Sequence, residues 1–487
     1  MSDKFYITTT LPYVNSEPHI GFALEIVQAD AIARWQSFLG KEVLFNTGTD
    51  EHGLKIYRKA IEAGQEPQAY CDFYAARFDA LKKALNLSYT NFIRTTDPYH
   101  MQAAQEFWRR CAAAGDIYKK NYKIKYCVGC ELEKTESELV DGKCTVHPNL
   151  EIEIHEEENY FFRFSRFQKP LLELYEKNPE FTVPVEKLNE IRAFVERGLE
   201  DFSISRLKAK MPWGIAVPDD EDQVMYVWFD ALINYVSTLG WPSSAKASEG
   251  KPATSTEPTN FDLFWPGFQV AGKDNLRQQS AMWQAMLMSA GLEPSAQILI
   301  HGFVTADGAK MSKSLGNVID PFEIAEKYGT DALRYYLLAE FTPFEDGDFT
   351  IEKFEKRFNG DLANGLGNLA ARTATLLERN RIELALAPGN EDLNKEVAAK
   401  MAEFRFDEAL KAIWRKLAES DEWLSEKKPW KSTDPAEIKA ALLPVAQNLS
   451  DIGRLLKPFM PETAQKIAAQ FGAGRVQKGE SLFPRLN

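Results

Sequence analysis

The sequence predicts an α/β protein in which a doubly wound parallel sheet carries an insertion and precedes an all-α C-terminal domain. Three observations lead to this class. Strand-like and amphipathic helical segments alternate at the start of the chain, three cysteines lie within 18 residues of one another, and helical periodicity dominates the last third. With 487 residues, 44% of them hydrophobic and 26% charged, the chain is an ordinary folded protein of about three domains.

The first half of the sheet domain is assigned to residues 1–115. A strand is predicted at residues 5–10, and Pro18 opens an amphipathic helix that runs to about Phe38. A second apolar strand at residues 42–47 meets the segment Gly48-Thr-Asp-Glu-His-Gly53, and a long helical pattern follows. This alternation is typical of a parallel sheet whose strands are joined by helices.

An inserted domain is predicted for residues 116–224, where the alternation stops. The second half of the sheet domain is assigned to residues 225–345, because strand patterns return there and complete the first sheet. These patterns lie at residues 224–228, 268–271 and 297–301. Residues 346–487 show long 3.6-residue periodicity with few strand signals, which predicts a helical bundle.

The charge distribution limits the kinds of partner. The net charge is −13, so a polyanion must meet a local basic surface rather than a general positive field. From Phe341 onward the chain holds 22 basic and 23 acidic residues, which suits this part better to nucleic acid. The sequence has no start typical of a signal peptide and no apolar stretch of membrane-spanning length, so we expect a cytoplasmic protein without a membrane segment.

Two short pairs predict a metal site in the insertion. Cys127-x2-Cys130 and Cys144-x2-His147 have the spacing of two zinc knuckles. Four protein ligands leave no open position for water, so the predicted ion is one structural Zn²⁺ per chain. The alternatives are reduced thiols with incidental neighbours and, less favoured in a cysteine-poor chain, a redox pair.

Two further motifs contain residue types that are suited to binding nucleotide phosphates. His19 and Gly21 lie at a predicted helix start, where backbone N–H groups favour phosphate and glycine permits close approach. Lys310 and Lys313 lie in the segment Gly308-Ala-Lys-Met-Ser-Lys-Ser-Leu-Gly316, which can bring two ammonium groups onto a triphosphate. Taken singly, an incidental histidine and a solvated basic turn are competing interpretations.

Together and in this order, the two motifs resemble the paired signatures of class I aminoacyl-tRNA synthetases, and the whole chain is similar to the methionyl-tRNA synthetase family. The resemblance implies a Rossmann-type catalytic domain, a zinc-bearing connective insertion and a helical anticodon-binding bundle. It implies that methionine and ATP, with Mg²⁺, give methionyl-adenylate and pyrophosphate, and that methionine tRNA then accepts the methionyl group. The segment after Gly472 is short for the dimerising module of some members, so we expect a monomer.

The resemblance also implies roles for particular residues. His19, Gly21, Lys310 and Lys313 are the expected catalytic residues, and they bind ATP together with His301. Phe22 stands where the family's first signature ends in a second histidine.

The implied amino-acid site includes Asp50, which would pair with the substrate ammonium. Aromatic edges suit a polarisable thioether, although aromatic residues at helical spacing are also typical of a core. Arg206 is expected to organise the site, with a surface arginine as the alternative. The full set is Leu11, Tyr13, Asp50, Arg206, Trp228, Ala231, Tyr235, Asn275, Gln279 and Trp283. Asn275 and Gln279 stand where the family commonly has isoleucine and histidine.

The implied anticodon site lies in the helical bundle. Asn368 and Arg372 are four residues apart and therefore share a helix face. Pro429 and Trp430 would supply a stacking platform for an unpaired base. Each residue alone is also compatible with an ordinary helix surface or a buried tryptophan.

Two other functions stay open at this point. A tRNA-binding paralogue without catalysis is favoured by Phe22, Asn275 and Gln279, whereas the complete lysine motif argues against it. A class I synthetase for another small apolar amino acid is the second alternative. The insertion is short for an editing domain beside a zinc module, and the anticodon residues also disfavour that alternative.

Overall fold

The protein is represented by a computed structural model that describes residues 3–134, 138–242, 258–311, 317–472 and 474–486. The chain forms two compact units. Unit 1 comprises residues 1–17, 42–80 and 89–300, and unit 2 comprises residues 18–41, 81–88 and 301–487. The predicted domain boundaries at residues 115, 224 and 345 stay predictions.

Strands occur throughout unit 1 and are short in unit 2. Along the described chain they are β1 (Lys4–Thr9), β2 (Glu42–Thr49), β3 (Asn91–Arg94), β4 (Ile117–Cys127), β5 (Leu132–Glu133), β6 (Leu139–Val140), β7 (Lys143–Cys144), β8 (Glu153–Phe162), β9 (Thr182–Val183), β10 (Phe202–Ser203), β11 (Ser205–Leu207), β12 (Ala216–Val217), β13 (Asp220–Met225), β14 (Phe268–Gly272), β15 (Gln297–His301), β16 (Val304–Ala306), β17 (Ala309–Lys310), β18 (Gly347–Phe349), β19 (Glu383–Leu384) and β20 (Gly474–Arg475).

Helices alternate with these strands and dominate the last third of the chain. They are α1 (Ile20–Phe38), α2 (Leu54–Glu62), α3 (Pro67–Ala84), α4 (Pro98–Ala113), α5 (Gln168–Lys177), α6 (Val185–Glu196), α7 (Val227–Leu232), α8 (Asn234–Ser237), α9 (Asn260–Phe264), α10 (Trp283–Ser289), α11 (Pro321–Tyr328), α12 (Thr330–Ala339), α13 (Ile351–Arg357), α14 (Asn368–Arg379), α15 (Glu391–Ala402), α16 (Phe406–Lys427), α17 (Pro435–Leu455) and α18 (Pro461–Phe471). Two π-helical segments, Gln278–Met282 and Phe358–Gly367, directly precede α10 and α14.

The central sheet of unit 1 has six strands in the order β3-β2-β1-β14-β15-β9. β1 pairs in parallel with β2 on one side and with β14 on the other, so that Ile7 lies opposite both Phe45 and Phe268. All three side chains are buried, which explains why these strands are apolar. The chain turns to opposite sides after β1 and after β14, so the carboxyl ends of these two strands are the expected ligand position in such a sheet. The predicted α/β class with a parallel sheet is confirmed.

Two parts of the predicted sheet differ in the structure. β14 and β15 join the central sheet as expected, but Val224 and Met225 lie in β13, which pairs antiparallel with β11 and β12. The reason is a tight turn at Asp219, whose φ of 63° reverses the chain between β12 and β13. The central sheet instead gains β9, from the segment assigned to the insertion, as an edge strand on β15.

The remaining segment of unit 1 is built on a long antiparallel pair. β4 and β8 pair from Ile117 opposite Phe162 to Tyr126 opposite Glu153, and β10 and β5 extend the sheet on its two sides. β4 ends at Cys127, the first residue of the predicted metal site. The pairing of β4 with β8 therefore fixes the position of Cys127, the first predicted metal ligand.

Unit 2 ends in the predicted helical bundle. Its helices pack in sequence, α15 on α16, α16 on α17 and α17 on α18, while α14 also contacts α17. Short connections between amphipathic helices favour such packing of neighbours. Among the described residues, no helix has both the length and the apolar character needed to cross a membrane.

A fully buried arginine connects several elements of unit 2. Arg334 in α12 contacts Asp30 in α1 at 2.7 Å and donates to the backbone oxygens of Leu85, Pro458 and Phe459 at 2.9–3.0 Å. Burial raises the pKa of Asp30, but the charges of Arg334 and Arg34 outweigh burial and lower it below its ordinary value. A buried guanidinium of this kind is costly to leave without its partners.

Substitution of Arg334 by methionine is expected to lower the free energy of unfolding by about 3–5 kcal/mol, because Asp30 then keeps a buried charge without its main partner. The Arg334→Met, Asp30→Asn double variant should recover part of the loss. In the wild type, the stabilisation from Asp30 is present above the unfolded-state pKa of about 3.9 and is lost as the pH falls through the lower folded-state pKa. Urea unfolding measures each quantity, and a loss below about 1 kcal/mol for Arg334→Met would contradict the expectation.

Candidate functional site

The loop after β1 is fixed against the residue that follows β2. The Asp50 N–H donates to the Pro12 oxygen at 3.0 Å, and the Val14 N–H donates to the Asp50 oxygen at 3.3 Å. Leu11 and Tyr13 therefore lie beside Asp50 at the carboxyl ends of neighbouring strands. The predicted association of these three residues is present in the structure.

The Asp50 carboxyl group is buried, with 4% of the residue exposed. Its pKa is raised well above the ordinary value, first by burial and then by the nearby charge of Asp230, while a hydrogen bond from the His52 backbone N–H lowers it. Its Oδ1 atom has no hydrogen-bond partner within the described part of the chain. A cationic ligand would compensate both the burial and the repulsion.

The next residue, Glu51, is held on several sides by protein groups. Arg94 donates to its two oxygens at 2.6 and 2.8 Å. Thr49 and Thr96 donate further hydrogen bonds to the same carboxylate at 2.7 and 2.5 Å, and Trp213 donates to the Glu51 backbone oxygen. Glu51 is therefore a structural anchor that leaves Asp50 as the carboxylate available to a ligand. Sequence reasoning missed this anchor, although Glu51 lies beside Asp50 in the chain.

A second buried carboxylate, Asp230 in α7, is flanked by two histidines. His52 Nδ1 lies 3.1 Å from Asp230 Oδ2, and His100 Nε2 lies 3.8 Å from Asp230 Oδ1. His100 Nδ1 lies 2.9 Å from the Ser237 hydroxyl in α8. All four side chains are buried. Sequence reasoning missed this cluster because its members lie far apart along the chain.

The aromatic residues predicted to bind methionine form one buried group in part. Tyr235 and Trp283 meet edge to face with ring centroids 5.8 Å apart, and Gln279 Nε2 donates to the Tyr235 hydroxyl at 2.7 Å. Trp283 also stacks on Phe107 at 5.7 Å, so the core interpretation of this tryptophan holds as well. Gln279 Oε1 and Trp283 Nε1 have no hydrogen-bond partner among the described residues, which is unusual for buried polar atoms.

The other predicted residues of this set lie on adjoining elements. Trp228 and Tyr13 pack against the same small cluster around Tyr126 and Tyr226, and Ala231 is buried in α7. Asn275 ends the 3₁₀ turn that follows β14, and its amide donates to Asp274 at 3.3 Å. Gln279 lies in the π-helical segment before α10, a feature that is frequent at functional sites.

Arg206 is a buried residue, which rules out the surface alternative. Its Nη1 atom donates to the Ser203 hydroxyl and to the Ser205 backbone oxygen, both at 2.7 Å. The guanidinium lies over the rings of Tyr226 and Tyr126, at 4.5 and 5.4 Å from their centroids. Arg206 therefore contributes a buried positive charge that is framed by aromatic rings.

In unit 2, His19 caps the first turn of α1. Its Nδ1 atom accepts from the Gly21 N–H at 3.1 Å, so in the neutral ring the proton resides on Nε2, which can donate to a ligand. Burial lowers the pKa of His19 from its ordinary value of 6.5, which favours that neutral form. A Cβ atom on residue 21 would lie 2.9 Å from the His19 imidazole. The position of the His19 side chain over the helix start therefore requires glycine at residue 21.

The other expected nucleotide residues of unit 2 are only partly described. His301 is buried, with Nε2 2.9 Å from Glu25 Oε2 and Nδ1 2.7 Å from the Gly302 oxygen. The backbone of Lys310 ends β17 and pairs with Thr305, whereas Lys313 lies outside the described residues. Their roles toward ATP stay predictions.

The predicted metal ligands come together in unit 1. The ligand atoms of Cys127, Cys130, Cys144 and His147 all lie within 4.8 Å of one another. Cys130 Sγ lies 3.1 Å from His147 Nδ1 and 3.5 Å from Cys144 Sγ. Three thiols and one imidazole converging on a single point fit a four-coordinate metal ion.

Three of the four expected anticodon residues can be related directly. The Arg372 guanidinium lies 5.2 Å from the ring centroid of Trp430, which is 42% exposed, and Arg372 Nη2 donates to Asp421 at 3.0 Å. Pro429 precedes Trp430 just after α16 ends, and Asn368 is exposed at the first position of α14. The bundle thus presents a tryptophan ring and a guanidinium side by side.

Comparison with known proteins identifies the family. A family model described as tRNA synthetases class I (M) matches residues 5–146 and 129–374. The methionine-tRNA ligases of a Nostoc species and of Rhizobium meliloti are both 40% identical to this chain over 96% of it, and the matches cover 90% and 91% of those proteins.

Solved structures agree with this finding. Mycobacterium tuberculosis methionyl-tRNA synthetase in complex with methionyl-adenylate is 37% identical to this chain, superposes with a TM-score of 0.91, and the match covers 100% of each chain. The apo form of that enzyme superposes with a TM-score of 0.83 at 33% identity, covering 100% of this chain and 99% of that one. From the motifs, the site geometry and these matches over the full length, the chain belongs to the methionyl-tRNA synthetase family of class I aminoacyl-tRNA synthetases.

Proposed function

We propose that this chain is a methionine-tRNA ligase, which activates methionine with ATP to methionyl-adenylate and transfers the methionyl group to the 3′ end of methionine tRNA. The observation that carries this conclusion is the 40% identity to methionine-tRNA ligases across nearly the whole chain. The likeness to a structure that contains methionyl-adenylate supports the same reaction. The protein is proposed to work as a monomer in the cytoplasm, where its five unbridged cysteines would stay reduced.

The amino-acid site is proposed to lie around Asp50 in unit 1. The buried carboxylate with an unpaired oxygen would receive the substrate ammonium, because a cation removes the energetic cost of burying that charge. Tyr235, Gln279 and Trp283 would contact the thioether side chain, for which aromatic edges are favourable partners. Leu11, Tyr13, Arg206, Trp228, Ala231 and Asn275 complete the proposed site.

The ATP-handling residues are proposed to lie in unit 2. Neutral His19 would donate from Nε2 to a phosphate oxygen at the start of α1, where the helix dipole also favours negative charge. The methionine carboxylate attacks the α-phosphate directly, so no protein base is required and positioning supplies most of the catalysis. Lys310 and Lys313 would stabilise the departing pyrophosphate, His301 would border the nucleotide, and Mg²⁺ enters with ATP as part of that substrate.

The metal cluster is proposed to hold one structural Zn²⁺. Its donor set of three cysteines and one histidine is a preferred set for zinc, and four protein ligands leave no position for a reacting water. The ion would stabilise the segment that follows β4 and would take no part in the reaction. The bundle residues Asn368, Arg372, Pro429 and Trp430 are proposed to bind the anticodon of the tRNA, with Trp430 stacking on a base.

Pyrophosphate exchange tests the catalytic assignment against the two alternatives. With methionine, leucine, isoleucine, valine and cysteine as substrates, we expect exchange with methionine alone, and a loss of about 100-fold or more in a Lys313→Ala variant. Exchange driven by another amino acid would instead support a synthetase with altered specificity. Binding of methionine tRNA without any exchange would identify a tRNA-binding paralogue and contradict the proposal.

Replacement of His19 by alanine is expected to lower kcat for exchange about 100-fold, because a donor to the developing phosphate charge is lost. KM for methionine should change less than about twofold. In the wild type, exchange should persist as the pH falls below 6.5 and decline only when the pH passes the lowered pKa of His19. A pH profile of kcat measures this, and a decline centred above 6.5 would contradict the neutral role of His19.

Replacement of Cys130 by serine is expected to reduce bound zinc from about one ion per chain and to lower the thermal midpoint. Cys71→Ala provides the control, because Cys71 is a free thiol of unit 1 that lies outside the cluster. The control should keep its zinc. Elemental analysis of the purified proteins measures the metal, and equal zinc content in both variants would contradict the assignment.

A further inference from the structure

The helix that follows the Asp50 segment is capped by a residue from another part of the chain. α2 begins at Leu54, and its N-cap residue is Gly53, which makes no side-chain hydrogen bond to the first turn. The first N–H groups of a helix need acceptors from outside the helix. Glu131 supplies one, because its Oε1 atom accepts from the backbone N–H of Lys55. A carboxylate at this end of a helix also interacts favourably with the helix dipole.

Glu131 is held in this position by its surroundings. Its side chain is fully buried, and the Tyr126 hydroxyl donates to its second oxygen, Oε2. A Cβ atom on Gly53 would lie 3.5 Å from Glu131 Oε1, so the carboxylate lies directly over the start of α2. Glu131 has a φ of 51°, a left-handed conformation that is uncommon for a residue with a side chain. Such a conformation persists where the surrounding contacts determine it.

The segment that carries Glu131 also carries the predicted metal ligands. Glu131 directly follows Cys130, and Tyr126 directly precedes Cys127. The Cys130 N–H donates to the Cys127 oxygen at 3.2 Å, and the four ligand atoms of the cluster lie within 4.8 Å of one another. The conformation that brings the ligands together is therefore also the one in which Glu131 reaches α2.

A second set of contacts connects this segment to the amino-acid site. Lys55 Nζ donates to the Gly129 backbone oxygen at 3.5 Å and lies 5.6 Å from the ring centroid of Tyr13. Tyr13 and Trp228, which are expected to contact methionine, pack with Val128 against the same buried cluster. Val128 lies between the first two cysteines of the metal site. A displacement of the metal segment therefore reaches both the start of α2 and the side chains of the proposed methionine site.

We propose that Glu131 is a positioning residue of the amino-acid site and that it couples methionine binding to metal binding. By capping α2, Glu131 holds the end of the segment that carries Asp50. Because Glu131 is joined to Cys130, its own position depends on the metal cluster. It acts through α2 and not on the substrate itself. The inference rests on the proposed function, since it takes Asp50 as the group that binds the ammonium and the cluster as a zinc site.

Coupling of this kind has a definite thermodynamic consequence. If methionine favours the conformation in which Glu131 caps α2, bound methionine raises the affinity of the protein for zinc, and zinc raises the affinity for methionine by the same factor. A role of Glu131 in folding alone would change the zinc affinity equally with and without methionine. The ratio of the two zinc affinities therefore measures the coupling and is insensitive to a general loss of stability.

The experiment measures the zinc affinity of the full-length protein by equilibrium competition with the chelator EDTA, without methionine and at a methionine concentration that saturates each variant. In the wild type, methionine is expected to raise the zinc affinity about tenfold, as is typical of coupled sites. In Glu131→Ala this ratio should fall below about twofold, and the Kd for methionine should rise about tenfold. Glu131→Gln should keep the ratio within about threefold of the wild type, because its amide oxygen can still accept from the Lys55 N–H.

Thr259→Ala provides the matched control. The Thr259 hydroxyl caps α9 of unit 1 by accepting from the Asp262 N–H at 3.3 Å, so this variant removes a helix cap that lies outside the metal segment. Its ratio should stay within about twofold of the wild type. If Glu131→Ala does not fold, Tyr126→Phe carries the test, because it removes the hydroxyl that donates to Oε2 and should lower the ratio about threefold or more.

Three results overturn the inference. The first is a wild-type ratio in Glu131→Ala, or in Tyr126→Phe where that variant carries the test. The second is a wild-type protein whose zinc affinity does not respond to methionine. The third is an equal loss of the ratio in Glu131→Ala and Thr259→Ala, since the loss of any helix cap would then have the same effect.

Failure of the inference can be distinguished from failure of the proposed function. Methionine-dependent pyrophosphate exchange together with a ratio near one removes the role of Glu131 and leaves the ligase function standing. A wild type that neither binds methionine nor shows exchange contradicts the proposed function, and a wild type purified without zinc contradicts the proposed metal site. In both of these cases the inference is wrong as well.

Discussion

The cost of burying carboxylates governs the arrangement of unit 1. Three consecutive buried residues follow β2 at the carboxyl edge of the central sheet, namely Asp50, Glu51 and His52. Each buried polar side chain needs a hydrogen-bonding or charged partner there. The Glu51 carboxylate accepts a hydrogen bond from Arg94, and the His52 ring contacts the carboxylate of Asp230. Of these three residues, Asp50 alone keeps a side-chain oxygen without a hydrogen-bond partner in the described structure. The same physical requirement that stabilises the loop thus leaves one position to be completed by a cation.

In unit 2, buried carboxylates are compensated by an arginine and a histidine. Asp30 is compensated by a fully buried arginine, Arg334, whose remaining donors are taken by three backbone oxygens. Glu25, one turn earlier in α1, is paired with His301. Both partners come from segments more than 270 residues further along the chain, so these polar contacts hold α1 to α12 and to His301 within unit 2. A helix that carries His19 at its first turn is thereby held at two points along its length.

The sequence predicted those features whose residues lie close together along the chain. The cysteine pairs, His19 with Gly21, and the strands around Ile7 are patterns of a few neighbouring residues, and the structure brings them together as expected. The partners of buried charges carry no such pattern, because Asp230 is 178 residues from His52 and nothing near either residue specifies the other. The prediction that residues 224–228 belong to the central sheet was wrong for a related reason. An apolar segment such as Val224–Met225 is compatible with an antiparallel hairpin as well as with a central strand.

The π-helical segment Gln278–Met282 has a consequence for how this family can vary. A π turn contains one more residue than an α turn, so it marks the position of a single inserted residue in an otherwise regular helix. Loss of that residue would restore the regular helix and rotate everything beyond it by about 100°. Trp283 would then leave Tyr235, while Asn275 before the segment would stay in place. The register of this helix therefore determines how Trp283 packs on Tyr235, and a length change can alter that packing without any change of residue type.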